Sequence, residues 1–330
     1  MTRIVSFFGR RSEIFDDLNR RAADYATEKG ISYDWVPMAP FDEDRVVDSL
    51  QAAAAAIIDV EPYGESIFSR LPESLRLLVR FGVGYDKVDL DAATRHGIAV
   101  ARTAGANSLG VAEMALTLML AARRQLKRIS KLVDDGDWDR VVANETVQGT
   151  VGIMGFGSIG QALAKLLRGF ECEILAYGPS LTEQGAAALG VRSVDPRTLF
   201  RESDAISIHM PYSPQTHHIV GEELLGLMRS TAVIINTARG NIVDEDALFR
   251  ACRDGRILGA ALDVFAEEPL PITSPLLTLD NVILTPHLSS QTVESLWRTY
   301  TMAIDVAVDF LTGNDTAHIL NPGAVEKGRQ

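Results

Sequence analysis

An apolar run, Val151-Gly152-Ile153-Met154, enters the pattern Gly155-x-Gly157-x-x-Gly160, and Gln161-Ala-Leu-Ala-Lys-Leu-Leu follows with helical spacing. This stretch constrains the fold most tightly, because a buried strand must turn sharply into a helix. Gly155 permits the turn, Gly157 lets the backbone approach another group, and Gly160 lets helix and strand pack closely. N–H groups at the helix start, on Ser158 and Ile159, are left facing outward toward an anion. Strand, turn and helix together predict a dinucleotide-binding unit of the Rossmann type, with the pyrophosphate at the helix start.

The rest of the chain repeats the alternation. Short apolar runs fall at residues 4–8, 55–59, 77–79 and 98–100, with an amphipathic helix at 11–29 between the first two. A second series covers 151–154, 174–177, 205–209, 232–236, 259–263 and 282–285. Strands alternating with helices imply parallel sheets. The fold class is therefore α/β, with two doubly wound parallel-sheet domains, which 330 residues can hold. Between the two series, residues 107–128 read as one helix, capped by Asn107 or Ser108 and apolar almost all round before Arg123, Arg124, Lys127 and Arg128 close it. Such a helix should be buried on several sides, between domains or subunits. Residues 293–311 read as a last helix, ending at Thr312-Gly313, whose terminal position suggests a return to the first domain. The expected division is a discontinuous substrate domain, 1–103 and 290–330, flavodoxin-like, holding an inserted nucleotide-binding Rossmann domain at 104–289. The alanine run from Ala52 to Ala56 reads as ordinary helix.

Composition excludes several function classes. A formal net charge of −12 argues against nucleic-acid binding, and the pairs Arg10-Arg11, Arg20-Arg21 and Arg123-Arg124 read as surface or helix-end charges. Cys172 and Cys252 are the two cysteines, without metal or disulfide spacing; no metal site is expected, and a reducing cytoplasm fits. The N-terminus reads as a first strand rather than a signal peptide, and residues 111–122, the most apolar long stretch, are too short to span a bilayer.

Polar residues then fall one after another at strand ends, where open α/β sheets take their ligands. Arg239 follows 232–236, Asp263 ends 259–263, Glu268 lies in the loop after it, and His287 follows 282–285. Oxidising an alcohol to a ketone requires a base for the hydroxyl proton, a cation for a neighbouring anionic group and a hydride acceptor. His287 paired with Glu268 suits the first task. Arg239 suits the second, since its planar fork can hold a carboxylate and polarise an adjacent carbonyl. Asp263 could accept a bond from a nicotinamide carboxamide. Read singly, each has a structural role available: a loop-bracing arginine, a turn carboxylate, a capping aspartate. The remaining histidines, His96, His209, His217, His218 and His318, show no such grouping and read as structural.

At this point the chain resembles the D-isomer-specific 2-hydroxyacid dehydrogenases, over roughly residues 77–291. The resemblance rests on Arg80-Phe-Gly82-Val83-Gly84-Tyr-Asp86, Gly105-Ala-Asn107 with Val111-Ala-Glu113, the glycine turn, Pro211 with Thr216, Asn236-Thr-Ala238-Arg239-Gly240, Asp263-Val-Phe-x-x-Glu268-Pro269 and Thr285-Pro286-His287. It implies an oxidoreductase moving hydride between NAD(P)H and a small 2-oxo acid, with Arg239, Glu268 and His287 as the catalytic trio. It implies a substrate carboxylate held at the N–H groups of Val83 and Gly84 together with Arg239. It implies a cofactor bound at Gly155, Gly157, Ser158, Ile159, Gly160, Gly178, Ser180, Pro211, Thr216, Ala238, Asp263 and His287, and a homodimer as the active form.

Departures from the family pattern carry information too. The acidic residue usual at the end of the second cofactor strand is missing from Ala176-Tyr177-Gly178-Pro179-Ser180. The charge-assisted bonds lost with it amount to about 1.5–3 kcal/mol, or about ten- to hundredfold in NAD affinity. No arginine replaces it, and only Ser180 and Thr182 could meet a 2′-phosphate; NAD is expected and NADP stays open. Ala104 stands where proline is frequent, and Ser289-Ser290 where glycine or alanine is common. In the loop 60–64, Glu61 would oppose a phosphorylated substrate, so an unphosphorylated acid of the glyoxylate, hydroxypyruvate or branched 2-oxo type is expected, with D-3-phosphoglycerate dehydrogenase as the alternative. An alternative of another class is a non-enzymatic dinucleotide-sensing corepressor or scaffold.

Overall fold

The computed structural model describes residues 2–146, 148–314 and 317–327. The chain divides into two units, Met1–Asn107 with Thr292–Gln330, and Ser108–Gln291.

The first unit is a five-stranded parallel sheet of β1 (Thr2–Ser6), β2 (Ile31–Trp35), β3 (Ala55–Ile58), β4 (Leu77–Arg80) and β5 (Ala99–Arg102), in the order β2-β1-β3-β4-β5. This is the flavodoxin-like order, and its direction reverses between β1 and β3. β3 and β4 are buried throughout, as strands covered on both faces must be. One face is covered by the helices Glu13–Glu28 and Val293–Thr312, which set Leu18, Ala22, Tyr300 and Ile304 on Ile4, Ile57 and Val79. The helix Val293–Thr312 thus returns to this sheet, and Asn19 Nδ2 donates to the Tyr300 hydroxyl at 2.9 Å between the two helices. The other face carries Val46, Ile67, Phe68 and Ala92 from short helices.

The second unit holds seven parallel strands, β6 (Thr150–Met154), β7 (Glu173–Tyr177), β8 (Arg192–Ser193), β9 (Ala205–Ile208), β10 (Val233–Asn236), β11 (Gly259–Leu262) and β12 (Val282–Leu284). Their order is β12-β11-β10-β9-β6-β7-β8, so the strand order reverses between β6 and β9 while the strands stay parallel. The ends of these two strands, at Gly155 and His209, flank the place where such sheets bind ligands.

Three expectations are corrected here. Residues 107–128 are not one helix: Ser108–Arg123 ends and Leu126–Asp134 begins across Gln125, whose φ is 52°. The break follows from Arg123, which is buried and donates to the carbonyls of Thr231 (2.9 Å), Asp204 (3.3 Å) and Glu145 rather than to solvent. Neither Asn107 Oδ1 nor Ser108 Oγ caps the helix, both being buried without a partner among the described residues. The run Ala52–Ala56 is no helix; Ala52 has φ 61° and Ala55 opens β3, so pairing with β1 and β4 overrides the helix preference of alanine. β2 and β8 lie outside the expected runs.

Candidate active site

The glycine turn has the shape a dinucleotide needs. Gly155 has φ 104°, and a Cβ there would lie 2.4 Å from the Met210 nitrogen, because β6 and the end of β9 converge at this point. At Gly157 a Cβ would meet nothing within 4 Å. Protein packing therefore does not require glycine at 157, whereas close approach by a ligand does. Gly157 caps the helix Ser158–Leu167 without a side-chain bond, and the N–H groups of Ser158 and Ile159 find no acceptor among the described residues. The site fits a pyrophosphate.

Next to this turn, the Gly155 N–H donates to the Tyr177 carbonyl at 2.8 Å, which brings the end of β7 alongside. Gly178 follows, with a Cβ position 3.4 Å from the Phe156 nitrogen, and the Leu181 N–H closes a turn onto the Gly178 carbonyl. Ser180 is exposed, and Thr182 Oγ1 accepts from the Gly185 N–H as a helix cap. After β9, the Thr216 hydroxyl accepts from the Ser213 N–H at 2.7 Å and reaches the Pro211 carbonyl at 3.0 Å, so it shapes the loop 211–216 from within. His209 Nε2 meets Ser207 Oγ at 2.9 Å, and burial pushes the ring down to about 4, which keeps it neutral.

Arg239, Glu268, His287 and Asp263 all belong to the second unit. Asn236, 1% exposed, accepts from the Ala238 N–H (3.0 Å) and donates to the Arg239 carbonyl (2.9 Å), fixing the turn that carries Arg239. Gly240 follows because the chain passes so close to the next loop that a Cβ would lie 1.9 Å from the Phe265 carbonyl carbon. Arg239 Nη1 donates to the Ala238 carbonyl at 2.7 Å, and its charge acts on Glu268.

Glu268 takes the Phe265 N–H on Oε1 (3.0 Å) and faces His287 Nδ1 with Oε2 (2.8 Å). Burial alone would raise this carboxyl; the bonds from His287 and Phe265, with the charges of His287 and Arg239, outweigh it and hold the group below its ordinary value. His287 Nδ1 is thereby engaged, while Nε2 has no partner among the described residues. The side chains of His287 and Glu268 are 43% and 38% exposed, so the pair is reachable.

His287 has φ 54°, an uncommon backbone for a residue with a side chain. Asp263 holds it there. This fully buried carboxylate accepts on Oδ1 from the Thr285 hydroxyl (2.6 Å) and the Leu288 N–H (2.9 Å), and on Oδ2 from the Ser289 N–H (2.8 Å) and the Ser289 hydroxyl. Four donors fill the four lone-pair sites of a carboxylate. These bonds engage Asp263 with the loop that presents His287. Sequence reading missed this clasp, with the Thr285 and Ser289 hydroxyls, and the Asn236 brace. Thr285 and Asn236 sit inside motifs that carried the site, so the signal was present, but their partners were not.

Val83 and Gly84 lie in the first unit, just past β4. Thr103 Oγ1 accepts from the Gly82 N–H at 2.7 Å, and the Thr103 N–H donates to the Gly82 carbonyl at 3.2 Å. The N–H groups of Val83 and Gly84 find no acceptor among the described residues.

Residues 116–289 match the model of the D-isomer specific 2-hydroxyacid dehydrogenase NAD-binding domain. A glyoxylate reductase of Korarchaeum cryptofilum is 34% identical over 299 residues, covering 88% of this chain and 90% of that protein. A D-3-phosphoglycerate dehydrogenase of Methanocaldococcus jannaschii is 40% identical over 252 residues, 76% of this chain but only 48% of that protein. The structure of a D-2-hydroxyisocaproate dehydrogenase superposes with a TM-score of 0.86 at 26% identity, covering 97% of this chain and 100% of the other. A Rossmann unit with a glycine cradle shaped for a pyrophosphate, acid–base and cationic side chains at successive strand ends, and these likenesses lead to one conclusion: the chain belongs to the D-isomer specific 2-hydroxyacid dehydrogenase family, NAD-dependent oxidoreductases of the CH–OH group.

Proposed function

We propose that the chain reduces a small, unphosphorylated 2-oxo acid to its D-2-hydroxy acid, with His287 as the proton donor. The observation that carries this reading is the His287 Nδ1 to Glu268 Oε2 contact of 2.8 Å, which leaves Nε2 without a partner among the described residues. With Nδ1–H held by the carboxylate, Nε2 is the nitrogen that gives a proton to the carbonyl oxygen in reduction and takes it back in oxidation. Glu268 steadies the ring and its positive form. Arg239 binds the substrate carboxylate and polarises the carbonyl. The N–H groups of Val83 and Gly84 hold the carboxylate as well. A nicotinamide dinucleotide bound at Gly155, Gly157, Ser158, Ile159 and Gly160 supplies the hydride. Gly178, Ser180, Pro211, Thr216, Ala238, Asp263 and His287 border the cofactor.

In this reading the residues 1–103 and 290–330 select the substrate, and 104–289 hold the cofactor. The working form is a homodimer, supported by apolar side chains that the second unit exposes: Leu126 (55%), Val133 (59%), Trp138 (85%) and Val142 (88%). The setting is the cytoplasm, supported by Cys172 and Cys252 being unpaired thiols. Among the described residues, no helix is long and apolar enough to cross a membrane.

The test is the loss of reduced-nicotinamide absorbance, with NADH and NADPH separately, on glyoxylate, hydroxypyruvate, pyruvate, 4-methyl-2-oxopentanoate and phosphohydroxypyruvate. Turnover of an unphosphorylated acid is expected. Preference for phosphohydroxypyruvate, or silence on all five, contradicts the proposal.

A further inference from the structure

In the second unit, the peptide between Phe265 and Ala266 is held from two sides, and both holds come from the stretch that follows Arg239. The turn Gly240–Ile242 supplies the first: a Cβ on Gly240 would lie 1.9 Å from the Phe265 carbonyl carbon and 2.3 Å from the Ala266 nitrogen, so the backbone after Arg239 rests directly on this peptide. Glu245 supplies the second. It opens the helix Glu245–Arg253, and its Oε1 accepts the Ala266 N–H at 2.7 Å, a short bond of the kind an ionised acceptor makes.

The stretch between them is itself fixed. The Val243 N–H donates to the Gly240 carbonyl and the Asp244 N–H to the Val220 carbonyl, both at 3.0 Å. Asp244 Oδ1 caps the helix through the Ala247 N–H at 3.0 Å, so the helix start already has its cap and the bond from Glu245 to Ala266 serves the loop instead. That loop carries Glu268. The N–H groups of Phe265 and Ala266 are consecutive, and each goes to a carboxylate: the first to Glu268 Oε1 (3.0 Å), the second to Glu245. Glu268 Oε2 then faces His287 Nδ1 at 2.8 Å.

We propose that Glu245 is a positioning residue for the acid–base pair: by fixing the 265–266 peptide it keeps the Phe265 N–H aimed at Glu268, and so keeps Glu268 turned toward His287. The proposal rests on the dehydrogenase reading, in which Glu268 and His287 act together. With the Ala266 bond removed, the peptide retains only its contact with Gly240, the Phe265 N–H loses its fixed aim, and the carboxylate behind the imidazole is no longer held in one orientation. A displacement of about 1 Å in a positioned group is enough to slow catalysis markedly.

The experiment measures kcat and KM on the fastest of the five acids named above, with NADH affinity by fluorescence titration and melting curves to check folding. The proteins are wild type, Glu245→Ala, Glu245→Asp, Glu245→Gln, Glu268→Gln and the double variant Glu245→Ala/Glu268→Gln. Glu245→Ala should lower kcat about tenfold while KM and NADH affinity stay within about twofold. Glu245→Asp keeps the charge at the helix start but draws the carboxylate back by one methylene, and should lose kcat likewise; it carries the comparison, alone and paired with Glu268→Gln, if Glu245→Ala does not fold. Glu245→Gln, whose amide oxygen still reaches the Ala266 N–H, should stay within about threefold of wild type. In the Glu268→Gln background the further loss should shrink to about twofold or less, because a residue that acts through Glu268 has nothing left to position. Unchanged kcat in a folded Glu245→Ala or Glu245→Asp, equal losses in both backgrounds, or a Glu245→Gln as slow as Glu245→Ala overturns the proposal while the dehydrogenase stands. Silence of the wild type on every acid overturns both.

Discussion

Gly155 and Gly157 stand two residues apart in one turn, yet the structure assigns them opposite sensitivities to a single methyl group. At Gly155→Ala, φ 104° excludes a side chain and the new carbon falls 2.4 Å from Met210 N and 2.5 Å from the His209 carbonyl carbon, all backbone that cannot step aside. Backbone strain of about 1–3 kcal/mol adds to an overpacking penalty of about 1–3 kcal/mol; a loss of roughly 2–6 kcal/mol should lower the melting temperature by several degrees. At Gly157→Ala, φ is −80° and nothing lies within 4 Å, so stability should change by about 1 kcal/mol or less, the modest disadvantage of alanine at a helix cap. The methyl enters the space where a pyrophosphate must approach, so NADH affinity should drop about tenfold or more. Thermal unfolding and NADH fluorescence titration of both variants separate the two effects. Equal NADH affinity in folded Gly157→Ala would refute the assignment of that space, and an unshifted melting point in Gly155→Ala would refute the strain argument.

Other outcomes follow from the same geometry. Glu268→Gln should lower kcat about ten- to a hundredfold with substrate KM little changed, since positioned acid–base groups contribute about 10²–10⁴ and only the charge behind His287 is removed. Because the Glu268 carboxyl is held below its ordinary value, its stabilising contribution should be complete at neutral pH and lost only as pH falls through that depressed value; the difference in unfolding free energy between wild type and Glu268→Gln, measured from pH 7 to pH 3, should shrink toward the acid end. Gly178→Asp, at a position where a Cβ meets neighbours only at 3.4 Å, should raise the NADH over NADPH preference about ten- to hundredfold. Asp263→Asn places an amide among four donors and should destabilise the protein by about 2–4 kcal/mol and reduce kcat by releasing the His287 loop; a variant as stable and active as the wild type would show the clasp to be idle.

Features written in neighbouring residues were legible in the sequence, and features built from distant ones were not. The turn at Gly155 to Gly160 and the apolar runs of β3, β4, β6, β9, β10 and β11 carry their own signal, because a buried parallel strand is continuously apolar. β2, Ile31-Ser-Tyr-Asp-Trp, sits at a sheet edge and mixes polar with aromatic residues, so no run announces it; β8 is two residues long. The alanines at 52–56 prefer helix in isolation and became turn and strand through pairing with β1 and β4. Gln125 gives no local sign of breaking a helix; the cause is Arg123 reaching carbonyls 22 to 108 positions away. In the same way His287, Glu268 and Arg239 were legible as residue types at strand ends. The four bonds that close on Asp263 come from 22 to 26 residues downstream, and only the folded chain shows them.

The most direct test of the account is a single-turnover comparison of wild type and His287→Ala, with preformed enzyme–NADH complex mixed against hydroxypyruvate and glyoxylate. The account predicts NADH binding within about twofold of wild type and hydride transfer slowed by about 10²–10⁴, because removal of the imidazole leaves the glycine cradle intact and takes away the proton at Nε2. Near-wild-type hydride transfer in His287→Ala would contradict it and place the proton donor elsewhere.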